Sequence, residues 1–212
     1  MTQPTITRDT FRDHLTYPVS DRALDKLARF ETWVSEKNQV MNLVGPATLP
    51  DFWSRHVLDS AQLLNHAPEA RLWADLGAGA GFPGVVLAIL LEDRPDAHVH
   101  LIDSLTKRCV FLSQVLADLS LPATVHNARA ETLSLKVDMV TARACAPLIK
   151  LLSYAQPYFR KGAEGLFLKG ETIDTEIAAA KQDWAFDASL EPSLSDPRGR
   201  IVRIRRLARA GH

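Results

Sequence analysis

The stretch Leu72-Trp73-Ala74-Asp75-Leu76-Gly77-Ala78-Gly79-Ala80-Gly81-Phe82-Pro83-Gly84, continued by the apolar run 85–91, decides how the chain folds. An apolar segment with an acid near its end, then closely spaced glycines, then a proline ahead of apolar residues predicts strand, tight loop and helix. Glycine reaches positive φ and carries no β-carbon, so such a loop can lie close against a ligand. Pro83 suits a first helical turn, whose free amides attract negative groups.

Two nucleoside cofactors compete for this loop. Gly79 to Gly84 satisfies G-x-G-x-x-G, and Asp103 follows at roughly the ~20-residue interval of the dinucleotide fingerprint, which supports a nicotinamide cofactor. Against it, the glycine series already begins at Gly77, with Asp75 just before it. An acid there would stand beside a docking pyrophosphate, a like-charge placement. It favours instead the ammonium of S-adenosylmethionine, which carries no phosphate. The plain structural alternative is a glycine-rich turn that binds nothing.

Downstream, strand patterns at 97–102, 123–126, 138–142 and 165–168 alternate with helical patterns at 106–119, 147–159 and 173–183. That order predicts a parallel sheet with helices on both faces and a ligand at the carboxyl ends of the strands. Segments 186–190 and 200–207 predict an antiparallel hairpin at the sheet edge, joined by the loop 192–199. Upstream, Ala23, Leu24, Leu27, Phe30, Trp33 and Val34 have helical spacing behind a Ser20 or Asp21 cap. Phe52, Trp53, Val57, Leu58, Ala61, Leu63 and Leu64 form a second helical set. The expected division is a helical cap over residues 1–66 and an α/β domain over 67–212. Within the second helix, Arg55 and Asp59, and His56 and Ser60, stand four apart, which predicts an exposed ion pair and a packing histidine.

The chain has 212 residues, 46% of them hydrophobic, enough for a full core. It has 25 Lys and Arg against 25 Asp and Glu, so no global positive field draws it onto nucleic acid. Any RNA recognition would rest on local patches and shape. No apolar run approaches the ~20 residues of a bilayer span, and residues 1–9 lack a secretory core, which predicts an intracellular protein without membrane contact. Cys109 and Cys145 are expected to be half-buried in a reducing compartment. There is no P-loop, no G-x-S-x-G elbow and no cluster with metal-ligand spacing.

The candidate functional residues sit at strand ends. Asp103 is placed to accept from a ribose diol, or to cap the following helix. Ala130 and Glu131, after the third strand, can offer a backbone amide to an adenine edge. Arg143 ends the fourth strand among small residues, where a cation would face whatever reacts with the cofactor. Lys169 ends the fifth strand in the same way. The arginines 198, 200, 203, 205, 206 and 209 suggest an edge strand that either meets phosphate or resists aggregation.

Taken in order, several motifs resemble one family, the bacterial 16S rRNA (guanine-N7) methyltransferases RsmG, also called GidB. They are Asn42-Leu43, His56-x-x-Asp59-Ser60, the Asp75 to Gly84 loop, Asp103-Ser104-x-x-Lys107-Arg108-x-x-Phe111-Leu112, Arg143-Ala144-x-Ala146-x-Leu148 and Leu168-Lys169-Gly170. The resemblance implies the class I S-adenosylmethionine-dependent methyltransferase fold, a Rossmann-like, seven-stranded, mostly parallel sheet. It implies methylation of guanine N7 in the 530 loop of 16S rRNA. Carried over, the cofactor contacts are Gly77, Phe82, Ala130, Glu131 and Arg143, beside Asp75 and Gly79 of the loop and Asp103 on the ribose.

Guanine N7 exposes a lone pair and no proton, so an in-line transfer needs no general base, and Arg143 would position or polarise the target. The expected partner is 16S rRNA within the small ribosomal subunit, for a cytoplasmic monomer without a metal. A nicotinamide-dependent oxidoreductase and a non-enzymatic ribosome assembly factor are the alternatives.

Overall fold

A computed structural model describes residues 6–211. The expectation that residues 1–9 lack a secretory core falls, for residues 1–5, outside that range. The order of elements begins with a 3-10 turn (Phe11–His14), α1 (Asp21–Met41), a second 3-10 turn (Pro46–Thr48), a π-helical turn (Trp53–Leu58), α2 (Asp59–Ala61) and α3 (Leu63–His66). It continues with β1 (Leu72–Leu76), α4 (Gly84–Leu90), β2 (His98–Asp103), α5 (Thr106–Leu119), β3 (Ala123–Asn127) and β4 (Met139–Arg143). Then follow α6 (Leu148–Phe159), β5 (Glu164–Lys169), α7 (Ile173–Ala180), β6 (Trp184–Pro192) and β7 (Arg200–Arg209).

The seven strands form one sheet in the order β3-β2-β1-β4-β5-β7-β6. β1 to β5 pair in parallel, while β7 runs antiparallel to both β5 and β6. The order reverses between β1 and β4, so a crevice opens at the carboxyl ends of those strands. The strand and helix patterns thus appear where expected, their ends moved by a few residues.

Chain termination signals set the helices. Ser20 accepts from the Ala23 N–H at 3.1 Å to start α1, and Asn42, in the left-handed region at φ 49°, ends it. Ala23, Leu24, Leu27, Phe30 and Val34 give α1 one buried face. That face joins α4, α5 and the Phe52 to Leu64 segment in one apolar layer on the sheet, so the N-terminal helices share the core of the α/β unit. α6 and α7 cover the other face. The ring of Phe30 lies 5.2 Å from Phe82 and 6.3 Å from Phe52, linking helix to glycine loop.

Three expectations are corrected. The helix after Pro50 is not regular: its first turn is π-helical, and a wider turn moves i and i+4 side chains out of register. Arg55 therefore pairs with Asp196 at 2.8 Å, Asp59 pairs with Arg143 at 3.2 Å, and Ser60 donates to the His56 carbonyl rather than its ring. The arginine-bearing β7 is not the edge strand, because β6 lies outside it. Cys145 is exposed, and only Cys109 is buried. Among the described residues no helix is long and apolar enough to cross a membrane.

Candidate active site

Two clefts flank the end of β4 and share Ala144 as a wall. The smaller, about 340 Å³, is lined by Gly77, Asp103, Arg108, Ala130, Glu131, Cys145 and Tyr154 among others. The larger, about 760 Å³, takes in Thr48, Arg55, His56, Asp59, Arg143, Lys169 and the loop from Ser193 to Arg200.

Backbone geometry builds the smaller cleft. Gly77, Gly79 and Gly81 all have positive φ, at 71°, 55° and 95°. The N–H groups of Gly77 and Ala78 donate to the Ile102 carbonyl, at 2.8 and 3.0 Å, which lays the loop across the end of β2. Asp103 ties it there, one oxygen accepting from Gly79 N–H at 2.9 Å and the other from Leu105 N–H at 2.8 Å. Asp103 is not the cap of α5, whose N-cap is Leu105; its carboxylate instead braces the turn leading into that helix and borders the cleft. On the far wall, Tyr158 donates to the Ala130 carbonyl at 3.0 Å and steadies the turn that carries Glu131.

The predicted site residues divide. Gly77, Asp103, Ala130 and Glu131 line the smaller cleft, and Gly79 braces it through Asp103. Asp75 is fully buried beneath the loop: one oxygen accepts from Gly84 N–H at 2.8 Å, and the other has no partner among the described residues. Burial raises its carboxyl to about 7. Phe82 is likewise buried, its ring stacked on His56 at 4.8 Å. Arg143 lines the larger cleft instead.

Arg143 is held from three sides. Nη1 donates to the Arg55 carbonyl at 2.9 Å and to Asp59 at 3.2 Å, Nη2 meets His56 Nδ1 at 2.9 Å, and the guanidinium lies 4.7 Å from the Phe82 ring centre. Burial opposes its charge and Asp59 supports it. Burial, aided by Arg143 and Arg55, holds the His56 imidazole down to about 3, so it is neutral. Lys169 is committed to Glu176 at 2.6 Å and to the Ala146 carbonyl. The loop after β6 closes the larger cleft, with Ser195 donating to Asp59 at 2.6 Å.

Thr48 and Cys145 line the clefts although no sequence signal pointed to them, and His56 and Asp59 stood out as part of a family motif with no site role attached. Helical spacing could not find His56, because only the π-helical turn and the approach of β4 bring it to Arg143. Thr48 sits in a short 3-10 turn, Pro46–Thr48, with no periodic signal at all.

The GidB family, described as rRNA small subunit methyltransferase G, matches over residues 23–198. Ribosomal RNA small subunit methyltransferase G of Caulobacter vibrioides (strain NA1000 / CB15N) is 60% identical over 190 residues, covering 90% of this chain and 88% of that protein. The protein of the same name from Parvibaculum lavamentivorans is 45% identical over 193 residues, covering 89% of this chain and 85% of that one. Among solved structures, the SAH-bound Podospora anserina methyltransferase PaMTH1 aligns with a TM-score of 0.58 over 93% of this chain and 92% of that one. At 11% identity this likeness concerns the fold.

Proposed function

The chain belongs to the GidB family of rRNA small subunit methyltransferase G proteins, and on that premise we propose that it methylates N7 of a guanine in the 530 loop of 16S rRNA. The observation that carries this reading is the pair of clefts meeting at Ala144: one of nucleoside-cofactor size, the other wider and lined by five cations against three acids, Asp59, Glu171 and Asp196. Family membership favours S-adenosylmethionine over a nicotinamide cofactor, and an enzyme over an assembly factor.

The residues present fit that cofactor. Gly77 leaves a wall without a β-carbon, Asp103 and Glu131 offer acceptors for hydroxyl groups, and Asp75 keeps an unpartnered oxygen under the loop for a cationic group. When bound, S-adenosylmethionine supplies an electrophilic sulfonium methyl. Arg143, rigidly held in the larger cleft, donates to the target base and keeps N7 in line. No residue needs to remove a proton, so alignment and fixed charge do the catalytic work. In this reading residues 1–66 are the cap, residues 67–212 the methyltransferase domain, and the protein is a cytoplasmic monomer that uses no metal and acts on the folded small subunit.

The test is transfer from labelled S-adenosylmethionine to small subunits that lack the modification, followed by nucleoside digestion and mass analysis. Label in 7-methylguanosine at one site is the expected result. Cofactor binding without transfer would overturn the substrate, and absence of cofactor binding would overturn the whole reading.

A further inference from the structure

His56 is 5% exposed and lies in a chain of contacts that the reaction outlined above does not use. Its Nε2 is 2.8 Å from Thr48 Oγ1, and its Nδ1 is 2.9 Å from Arg143 Nη2. Both ends of this chain determine where the imidazole proton sits. Thr48 has one hydroxyl hydrogen, and it is given to the Gly45 carbonyl at 2.7 Å. Towards His56 the hydroxyl can then only accept, so Nε2 carries the hydrogen. A guanidinium has donors and no acceptor, so Nδ1 must present its lone pair to Arg143. The two deductions are independent and name the same tautomer.

We propose that His56, with Thr48 fixing its tautomer, is a positioning residue that aims the Arg143 guanidinium into the larger cleft. The proposal rests on the function assigned above and adds how its cation is oriented. Arg143 has five N–H hydrogens in a planar fork. The Arg55 carbonyl and Asp59 hold Nη1, and His56 holds Nη2, so rotation of the guanidinium plane is blocked at both arms. The Nε hydrogen and the second Nη2 hydrogen have no partner among the described residues, which leaves them for a ligand of the cleft that Arg143 lines. Stacking on Phe82, with ring planes 25° apart, fixes the imidazole in turn and couples it to the glycine loop.

A protonated His56 would break this arrangement. Its Nδ1 hydrogen would oppose an Arg143 hydrogen, and its charge would face Arg143 and Arg55 with Asp59 as the nearby acid; Phe52 and Phe82, the rings packed on it, offer no compensation. The low proton affinity of the buried ring agrees with that geometry.

Two measurements on the full chain test the proposal. Nitrogen-15 NMR of the imidazoles in the wild-type protein is expected to show His56 as the neutral Nε2–H tautomer, unchanged between about pH 5 and 8. In methyl transfer to small subunits, Thr48→Val, which keeps size and removes the acceptor, is expected to lower kcat on the order of 10-fold, with KM and cofactor affinity within twofold. Thr48→Ser is expected to restore the wild-type rate. His56→Leu is expected to lose about 100-fold, and His56→Asn, which returns an acceptor at the δ position, to recover part of it. Titration of His56 near its ordinary value, a wild-type rate for Thr48→Val, or a loss in Thr48→Ser equal to that in Thr48→Val would overturn the proposal. Failure of the wild-type protein itself to transfer a methyl would instead remove the parent function, and this role with it.

Discussion

Gly77 and Cys145 face each other so closely that a β-carbon on Gly77 would lie 2.6 Å from the Cys145 sulfur. Both residues line the smaller cleft, and Gly77 also has φ 71°. Gly77→Ala therefore meets a steric and a conformational penalty, the second about 1–2 kcal/mol. Calorimetry with S-adenosylhomocysteine should show affinity reduced more than about 10-fold, since the loop must shift to admit the methyl. Adding Cys145→Ala should recover part of the lost thermal stability, by removing the clash while the φ strain stays.

Asp103 holds two backbone donors with two oxygens, so Asp103→Asn sets an amide N–H₂ against one of them. The expected stability loss is about 1–3 kcal/mol by urea denaturation, the cost of a stranded donor. Cofactor affinity should fall with it, because Gly79 is no longer anchored.

Arg143→Lys keeps the charge and loses the fork. A single ammonium cannot replace contacts to the Arg55 carbonyl, Asp59 and His56 at once. Single-turnover methyl transfer should slow about 100-fold in both Arg143→Lys and Arg143→Ala, while cofactor affinity changes only a few-fold. A large affinity loss would return Arg143 to the cofactor.

The histidines make stability depend on pH. Burial holds His56 down to about 3 and His100 to about 4, and His66, His98 and His126 are shifted the same way. Below about 6.5 the unfolded chain binds protons that the folded one refuses, so these groups remove stability as pH falls, at up to ~1.4 kcal/mol per pH unit per proton. Asp75, raised to about 7, and Glu31, also raised by burial, act in the opposite direction: above their ordinary values the unfolded chain ionises while the folded one resists. Urea midpoints between pH 4.5 and 6.5 should therefore rise with pH, more steeply in Asp75→Asn and less steeply in His100→Gln.

The C-terminal arginines separate into two kinds. Arg203 joins Glu164 at 2.6 Å and donates to the His66 carbonyl at 2.9 Å, so Arg203→Ala should cost about 1–3 kcal/mol of stability and leave the salt dependence of RNA binding unchanged. Arg198 is 70% exposed on the larger cleft, and Arg198→Ala should reduce the slope of log K against log salt by about 1.

The fold was legible because its signals are local. Alternating strand and helix patterns, the Ser20 cap and the Gly77 to Gly84 loop each act through neighbours in sequence, and each appears where its residues place it. The position of β7 was not legible. Six arginines between 198 and 209 look like a solvent edge, yet Ile201, Val202 and Ile204 are fully buried between β5 and β6, and several of the arginines find acids across the sheet.

The same division runs through the site. By itself the sequence determined the alternation that builds the sheet, the glycine loop, and Gly77 and Asp103 of the smaller cleft, because strand ends and the loop's backbone demands are written in consecutive residues; Ala130 and Glu131, which line the same cleft, were assigned to the cofactor only through the family resemblance. Only the tertiary structure decided that Asp75 is buried and that Arg143 belongs to the larger cleft. It alone joined His56 and Asp59 to Arg143. These contacts cross more than 80 residues of chain and depend on a single widened helical turn, which hydrophobic spacing does not encode.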